Sequence, residues 1–293
     1  MIKYFAYFYL TSISFGLIGN LLSFLVFSRK QFNNTIFNVY FRLITITDSA
    51  SVLTQLNYSL KLGFNIDIKL ISNLSCKLLD YFIYSSCPIS SYILVYISFD
   101  RMLNVTCPNE FKLRHNKLIQ LSICLFIILF NLIYYLPILF YRKLDIQSVF
   151  QNHTNQTELI RKCIYTDNRF IYWMDLFFST IIPFIFMCLF TSITIIFLFR
   201  SKKRTNGISS RDVKFAITSI TLNICFFLFL FPLTLFLLLG IYMDLNNDRL
   251  YELKFIMLLT IYSINYSNMF YVNLIVNSIF RNELVLMFKE WFL

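Results

Sequence analysis

Charged residues are scarce in this sequence. Asp, Glu, Lys and Arg make up 14% of the 293 residues, whereas a soluble globular domain carries about a quarter. Hydrophobic residues make up 58%, and the mean hydropathy is +0.65. A chain of this composition has too little polar surface for a water-soluble fold, so the sequence predicts an integral membrane protein.

Histidine and glycine are also scarce. The two histidines, His115 and His153, belong to no metal-ligand pattern, and no nucleophile is paired with a base. The sequence therefore predicts neither an enzyme nor a tightly bound cofactor, and we expect no nucleic-acid partner. Five glycines, no repeat and no low-complexity stretch leave no linker, so we expect one domain over residues 1–293.

Apolar runs, by contrast, are abundant and long. A hydrocarbon core of roughly 30 Å requires about 20 apolar residues in a helix. Runs such as 121–137 do not alternate between polar and apolar residues, as the strands of a membrane barrel would. Seven stretches qualify, at residues 5–28, 36–60, 73–104, 116–141, 170–200, 212–240 and 252–277. We therefore predict an all-α membrane protein with a seven-transmembrane helix bundle.

The ends of these stretches indicate their orientation. If the N-terminus is outside, fifteen of the 26 Lys and Arg residues lie on the inner side, including the cluster FRSKKR at 199–204. The glycosylation sequons at Asn73, Asn152 and Asn155 then face outward. The first stretch could instead be a signal peptide, but it is long and ends in basic residues. We expect a plasma-membrane protein with its C-terminus in the cytoplasm.

The last residues have the pattern of an amphipathic helix. Apolar residues recur with helical spacing in residues 279–292, at Phe280, Leu284, Met287, Phe288 and Trp291. The charged Lys289 and Glu290 lie opposite them. This pattern predicts a helix on the membrane surface.

Seven cysteines occur, and only Cys76 and Cys163 are predicted to face the oxidising outer side. A disulfide between them would join the second outer loop to the third span. The alternative is a pair of free thiols.

Several short motifs, in order along nearly the whole chain, resemble those of rhodopsin-like (class A) G-protein-coupled receptors. They are Gly19-Asn20, Asp48, the Cys76–Cys163 pair, Asp100-Arg101 with Met102 in place of Tyr, Pro108, Pro183 and Pro232. The resemblance implies a receptor that binds an extracellular peptide or small molecule and activates a heterotrimeric G protein. The long, charged second outer loop is most similar to that of neuropeptide receptors.

The resemblance gives Asp100 and Arg101 the role of a switch. Arg101 lies 25 residues after Cys76, or about 37 Å along a helix, so the two mark opposite membrane faces. In the family, the Asp holds this Arg at rest, and the Arg then turns toward the G protein. The alternative is an ordinary interfacial arginine that reaches the headgroups. Asp212, near the inner end of the sixth span, is a further expected partner of Arg101 in the inactive state, unless it pairs locally with Arg211 and Lys214.

The resemblance also implies a polar cluster inside the membrane. Asp48 is an ionisable residue in the second span, where such a group is costly. Ser90, Asn20 and Asn265 are expected to join it, and in the family such a cluster binds Na⁺. A hydrogen-bonded network without an ion, or a protonated Asp, remains the alternative.

Other positions depart from the family. Leu230 stands where a Trp is usual, Thr191 where a Tyr is usual, and Met269-Phe270 where Asn-Pro is usual. A chemosensory receptor, or one that no longer signals, is therefore the alternative within this fold. A transporter or channel would instead show repeats, broken helices or several ionisable groups at mid-membrane, and Asp48 alone is predicted there.

Overall fold

Long helices account for most of the chain that the structure, a computed structural model, describes. The described residues are 2–33, 37–107, 116–151, 156–165, 173–202, 210–243 and 249–292. The first six spans are α1 (Ile2–Phe27), α2 (Phe37–Phe64), α3 (Asn73–Thr106), α4 (Lys117–Tyr134), α5 (Ile182–Lys202) and α6 (Ser210–Met243). The seventh span is divided into α7 (Arg249–Asn265) and α8 (Asn268–Val276), and the terminal helix is α9 (Ser278–Phe292).

Five helical segments are long and apolar enough to cross a membrane: Tyr4–Phe27, Asn73–Thr106, Lys117–Tyr141, Trp173–Leu198 and Ala216–Leu237. The apolar part of α7 is shorter, and α2 carries many polar residues. Asp48, Gln55 and Asn57 of α2 are nevertheless buried. The second span therefore turns its polar side chains toward neighbouring helices, where other protein groups can pair with them.

The helices pack in a closed arrangement around α3. This helix contacts α2, α4, α5 and α6, while α1 packs against α2, α7 and α8. The core between them is rich in aromatic side chains, and Tyr9, Tyr40, Phe226 and Tyr266 are almost completely buried.

The break in the seventh span lies at Tyr266 and Ser267. Carbonyl groups at a helix end lack partners within the helix. Here the side-chain amide of Asn20 on α1 donates to the Tyr266 carbonyl oxygen at 3.0 Å. Gly16 and Gly19 make this close approach possible, because a Cβ atom on Gly16 would lie 2.1 Å from the Ser267 hydroxyl oxygen.

Proline explains a second irregularity, in the fifth span. Residues Leu176–Ile181 form a π-helical segment that runs directly into α5. Pro183 has no N–H group to donate back along the helix, so a regular α-helical turn cannot be completed there. Pro232 is accommodated within α6.

The loop between the fourth and fifth spans forms a β-hairpin, which the sequence did not predict. The end of the bundle at which it lies is called the outer end, after the predicted orientation. Strands β1 (Arg142–Gln151) and β2 (Gln156–Tyr165) pair antiparallel, with Leu144 opposite Cys163. The predicted disulfide is present: Cys163 is joined to Cys76, with the two Cα atoms 5.8 Å apart. The bond fixes the hairpin to the outer end of α3.

The terminal helix α9 is amphipathic, as predicted, and part of its apolar side packs against the bundle. Phe280, Leu284 and Met287 are buried, whereas Trp291 is 55% exposed. On its polar side, α9 carries Glu283 and Glu290. Their carboxylate oxygens lie 2.8 Å and 2.7 Å from the Arg29 guanidinium nitrogens. The inner end of the first span therefore holds α9 against the bundle.

We predict that Gly16→Ala destabilises the protein by about 1–3 kcal/mol, the usual cost of overpacking. The new methyl group would force Ser267 and the break in the seventh span away from α1. Thermal unfolding of the purified protein in detergent measures the effect. Gly63→Ala is the control, because a Cβ there meets the Ala6 side chain at an ordinary 3.4 Å. Equal unfolding temperatures for the two variants would contradict this account of the α1 contact.

Candidate functional site

Asp100 and Arg101 lie near the inner end of α3 and are buried together. The Arg101 guanidinium donates to the Asp100 carboxylate at 3.1 Å, and each residue is 3% exposed. An arginine that simply reached the lipid headgroups would be exposed at its charged end. The geometry instead matches the predicted resting pair.

A hydrogen-bonded bridge from α6 reaches α3 at Ser98, within one helical turn of this pair. The side-chain amide of Asn223 on α6 donates to the Ser98 hydroxyl of α3 at 2.7 Å and to the Thr191 hydroxyl of α5 at 2.8 Å. Thr191 is the residue that replaces the usual Tyr, so the substitution creates a partner for Asn223. The sequence analysis missed this bridge. The available signal was a single Asn inside an otherwise apolar part of the sixth span.

Helices α2 and α4 are joined to α3 by another buried polar residue. The Gln120 side-chain carbonyl accepts hydrogen bonds from the hydroxyls of Tyr40 on α2 and Tyr96 on α3. Together with Asn223, this arrangement links the inner half of α3 to four of its neighbours.

The four residues of the predicted mid-membrane cluster are all buried: Asn20, Asp48, Ser90 and Asn265. Ser90 lies within hydrogen-bonding reach of the Asp48 carboxylate and also contacts the Thr47 hydroxyl at 2.9 Å. Asp48 Oδ1 and Asn20 Oδ1 have no hydrogen-bond donor within the described part of the chain. Unpaired buried oxygens are suitable ligands for a hard cation, so Asp48 and Asn20 are the two residues of the predicted cluster that could hold the Na⁺ that the resemblance implies.

Asp80, at the outer end of α3, is the centre of a buried ionic cluster. It is 1% exposed and forms salt bridges with Lys69 of the first outer loop and Arg142 at the start of β1. The Lys69 ammonium also lies 4.9 Å from the centre of the Tyr58 ring. Burial lowers the pKa of Lys69, but Tyr58 and Asp80 outweigh this effect, so its pKa is raised and it stays charged at neutral pH.

This cluster strengthens the attachment of the outer loops. Arg142 donates to the Cys163 carbonyl oxygen at 3.2 Å, next to the disulfide. The Asn73 side chain accepts from the Leu144 backbone N–H at 3.0 Å. Both outer loops are therefore fixed to α3, the first through Lys69 and the second through Arg142 and the disulfide.

A cavity of about 90 Å³ lies in the outer half of the bundle. Its polar lining includes Tyr58, Tyr84, Tyr262, Ser179 and the carboxylic acid Asp175. Asp175 directly precedes the π-helical segment, and the Tyr135 hydroxyl donates to its Oδ1 at 2.9 Å. Asp80 and Asp175 both lie near the outer ends of membrane-spanning segments, as the predicted spans 73–104 and 170–200 place them. Asp48 stays the one acid predicted at mid-membrane.

Some predicted site residues lie outside the described part of the chain. These are Pro108, the two sequon residues Asn152 and Asn155, and the side chain of Asp212. Asn73, the third sequon residue, is exposed at the start of α3.

Comparison with known proteins identifies one family. The family described as "7 transmembrane receptor (rhodopsin family)" matches residues 19–271. The match extends from the Gly19-Asn20 pair to α8 and includes Asp48, the disulfide and the Asp100-Arg101 pair. No curated protein is detectably similar to the chain.

Proposed function

This chain belongs to the rhodopsin family of seven-transmembrane receptors, and we propose that it binds an extracellular peptide and activates a heterotrimeric G protein through Arg101. Membership in the family makes it a multi-pass plasma-membrane receptor. The peptide nature of the ligand, the use of Arg101 and the outward orientation of the N-terminus are the proposed parts.

The buried Asp100–Arg101 pair is the observation that carries the proposal. A desolvated charge pair is stable only while its partners stay in place. In the proposed mechanism, ligand binding favours a state in which α6 moves away from α3 and Arg101 leaves Asp100 to contact the G protein. Such a switch needs only a small bias, because about 1.4 kcal/mol changes a two-state ratio tenfold.

The bridge from Asn223 is the contact that opposes this movement. It is the donor that links α6 to both α3 and α5. Since the chain lacks the family's usual Tyr in the fifth span and Trp in the sixth, we propose that Asn223 supplies the resting restraint in this receptor.

A peptide is favoured by the shape of the outer end. The cavity of about 90 Å³ is smaller than the roughly 300–1,000 Å³ that enclose a drug-sized ligand. A ligand that enters it must therefore make most of its contacts above it, near the hairpin. Charged side chains on both strands, such as Lys143, Asp145 and Arg161, offer such contacts.

The same end of the molecule supports the proposed orientation across the membrane. The Cys76–Cys163 disulfide and the hairpin lie together, and disulfides persist in oxidising surroundings. We propose that this end is extracellular, which places FRSKKR and α9 in the cytoplasm.

The proposed coupling predicts that Arg101→Ala abolishes signalling without loss of surface expression. The test is a calcium response in cells that express the receptor with a promiscuous G protein and are exposed to a library of short peptides. Arg42→Ala is a matched control, because this inner-end arginine packs over the Phe24 ring instead of joining the pair. A full response from Arg101→Ala would refute the coupling role.

In the same cells, unchanged basal activity of Asp212→Ala would exclude the expected Asp212 lock.

We also predict that Asn223→Leu raises basal signalling several-fold. The substitution removes both hydrogen bonds, and single bonds between membrane helices contribute about 0.6 kcal/mol on average. Thr221→Ala is the control, because the one partner of the Thr221 hydroxyl among the described residues is the Ile217 carbonyl of its own helix. Equal basal activity of the two variants, at equal surface expression, would show that Asn223 does not restrain α6.

For the mid-membrane cluster, we propose that Asp48 and Asn20 hold Na⁺ in the inactive state. A bound cation would neutralise the buried carboxylate and stabilise that state. We expect NaCl to raise the unfolding temperature of the purified receptor relative to KCl at equal ionic strength, and Asp48→Asn to remove the difference. A difference that persists in Asp48→Asn would place the sodium effect elsewhere.

A further inference from the structure

We propose that Asp175 is the counter-ion for a cationic group of the ligand, an ammonium or a guanidinium, that enters the outer cavity. This inference rests on the proposed function, since it assigns the ligand chemistry of the same receptor. It depends on three observations: the position of the carboxylate, its partners and the walls around it.

The first observation is that Asp175 belongs to the wall of the cavity. The residue lines the cavity between α2, α3, α6 and α7, and it is half-buried. It lies at the point where the fifth span changes from α-helical to π-helical geometry. One carboxylate oxygen is held by the buried Tyr135 hydroxyl at 2.9 Å. Tyr135 therefore fixes the orientation of the acid.

The partners of Asp175 are neutral. Within the described residues, no Lys, Arg or His forms a salt bridge with Asp175, whereas the buried Asp80 has two cationic partners. An ionised carboxylate in a membrane-spanning segment is costly when no cation neutralises it. The chain thus provides cationic partners for Asp80, whereas Asp175 lies at the cavity with neutral partners.

The walls of that space suit a positive charge. Tyr84, Tyr262 and Phe255 contribute aromatic rings to the cavity lining. Tyr58 also lines the cavity, but the Lys69 ammonium already lies over its ring. The faces of such rings attract ammonium and guanidinium groups, and the attraction is larger where water is excluded. A carboxylate at one wall and aromatic rings at the others together favour a cation over a neutral or anionic group.

The small volume limits what can enter. A cavity of about 90 Å³ accommodates the end of a side chain or a small amine rather than a folded peptide. The cation can therefore come from a Lys or Arg side chain of a peptide, from its N-terminal ammonium, or from a free amine. The chemistry at Asp175 is the same in each case.

The test measures binding to the purified full-length receptor in lipid nanodiscs by its thermal unfolding temperature, which a ligand of the folded state raises. The cationic probe is N-acetyl-arginine amide, and its neutral isostere is N-acetyl-citrulline amide. We expect the arginine probe to stabilise the wild type and the citrulline probe to have no effect. This comparison needs no variant, so it remains decisive even if a substitution impairs folding.

The variants then locate the effect. Asp175→Asn retains an acceptor for Tyr135 but loses the charge, and we expect the half-maximal concentration of the arginine probe to rise at least about tenfold. Asp175→Glu should retain binding. Glu290→Gln, which removes a carboxylate at the opposite end of the bundle, is the control and should bind the probe like the wild type. No stabilisation of the wild type, equal effects of the two probes, or equal binding by Asp175→Asn and wild type would each overturn the inference.

Two further arms identify the source of the cation and separate this inference from the proposed function. Acetylated, amidated pentapeptides with a central Arg are compared with butylamine: stronger stabilisation by the peptides assigns the cation to a peptide, and the reverse assigns it to a free amine. Binding is read without a G protein. A receptor that binds the cationic probe but never signals would refute the proposed coupling and leave Asp175 as the counter-ion.

Discussion

A polar group inside a membrane can be satisfied only by another group of the protein, and this constraint decides how the helices of this receptor are arranged. The Tyr266 carbonyl at the break in the seventh span is satisfied by Asn20 of the first span. Asn223 joins the sixth span to the third and fifth. Apolar packing alone would not select these neighbours, because lipid chains are as apolar as the helix surfaces.

Helix α3 is the element on which most of these polar contacts converge. Its outer end carries the disulfide at Cys76 and the ionic cluster of Asp80. Its middle carries Ser90, and its inner end carries Ser98 and the Asp100–Arg101 pair. A helix of 34 residues is about 50 Å long. One rigid element therefore contacts the outer loops, the candidate ligand cavity and the candidate coupling site.

The structure also shows how a divergent sequence retains elements of the family's architecture. The seventh span lacks the usual Asn-Pro, yet it still breaks, at Tyr266 and Ser267. The Ser267 hydroxyl donates to the Ser263 carbonyl at 3.1 Å, and Asn20 donates to the Tyr266 carbonyl. In the same way, Thr191 lacks the tyrosine ring but forms a hydrogen bond with Asn223. At both positions the family's motif residue is missing, but another residue of this chain makes a structural contact there.

The sequence by itself determined the membrane class, the seven spans, the Cys76–Cys163 disulfide and the position of Asp100-Arg101 at the inner end of α3. These features depend on hydropathy, on helical rise and on residue order, all of which can be read along a single chain. The amphipathic pattern of α9 was predicted for the same reason, although its contact with Arg29 was not.

Only the tertiary structure decided which polar groups meet. Asn20 and Tyr266 are 246 residues apart, and the cations around Asp80 come from two different outer loops. It also decided that the second outer loop is a hairpin and that Asp175 lines a cavity. Hydropathy records which residues avoid water, but in a membrane both the lipid-facing and the helix-facing sides of a span avoid it. The side of each helix that faces its neighbours is therefore set by pairing between distant residues.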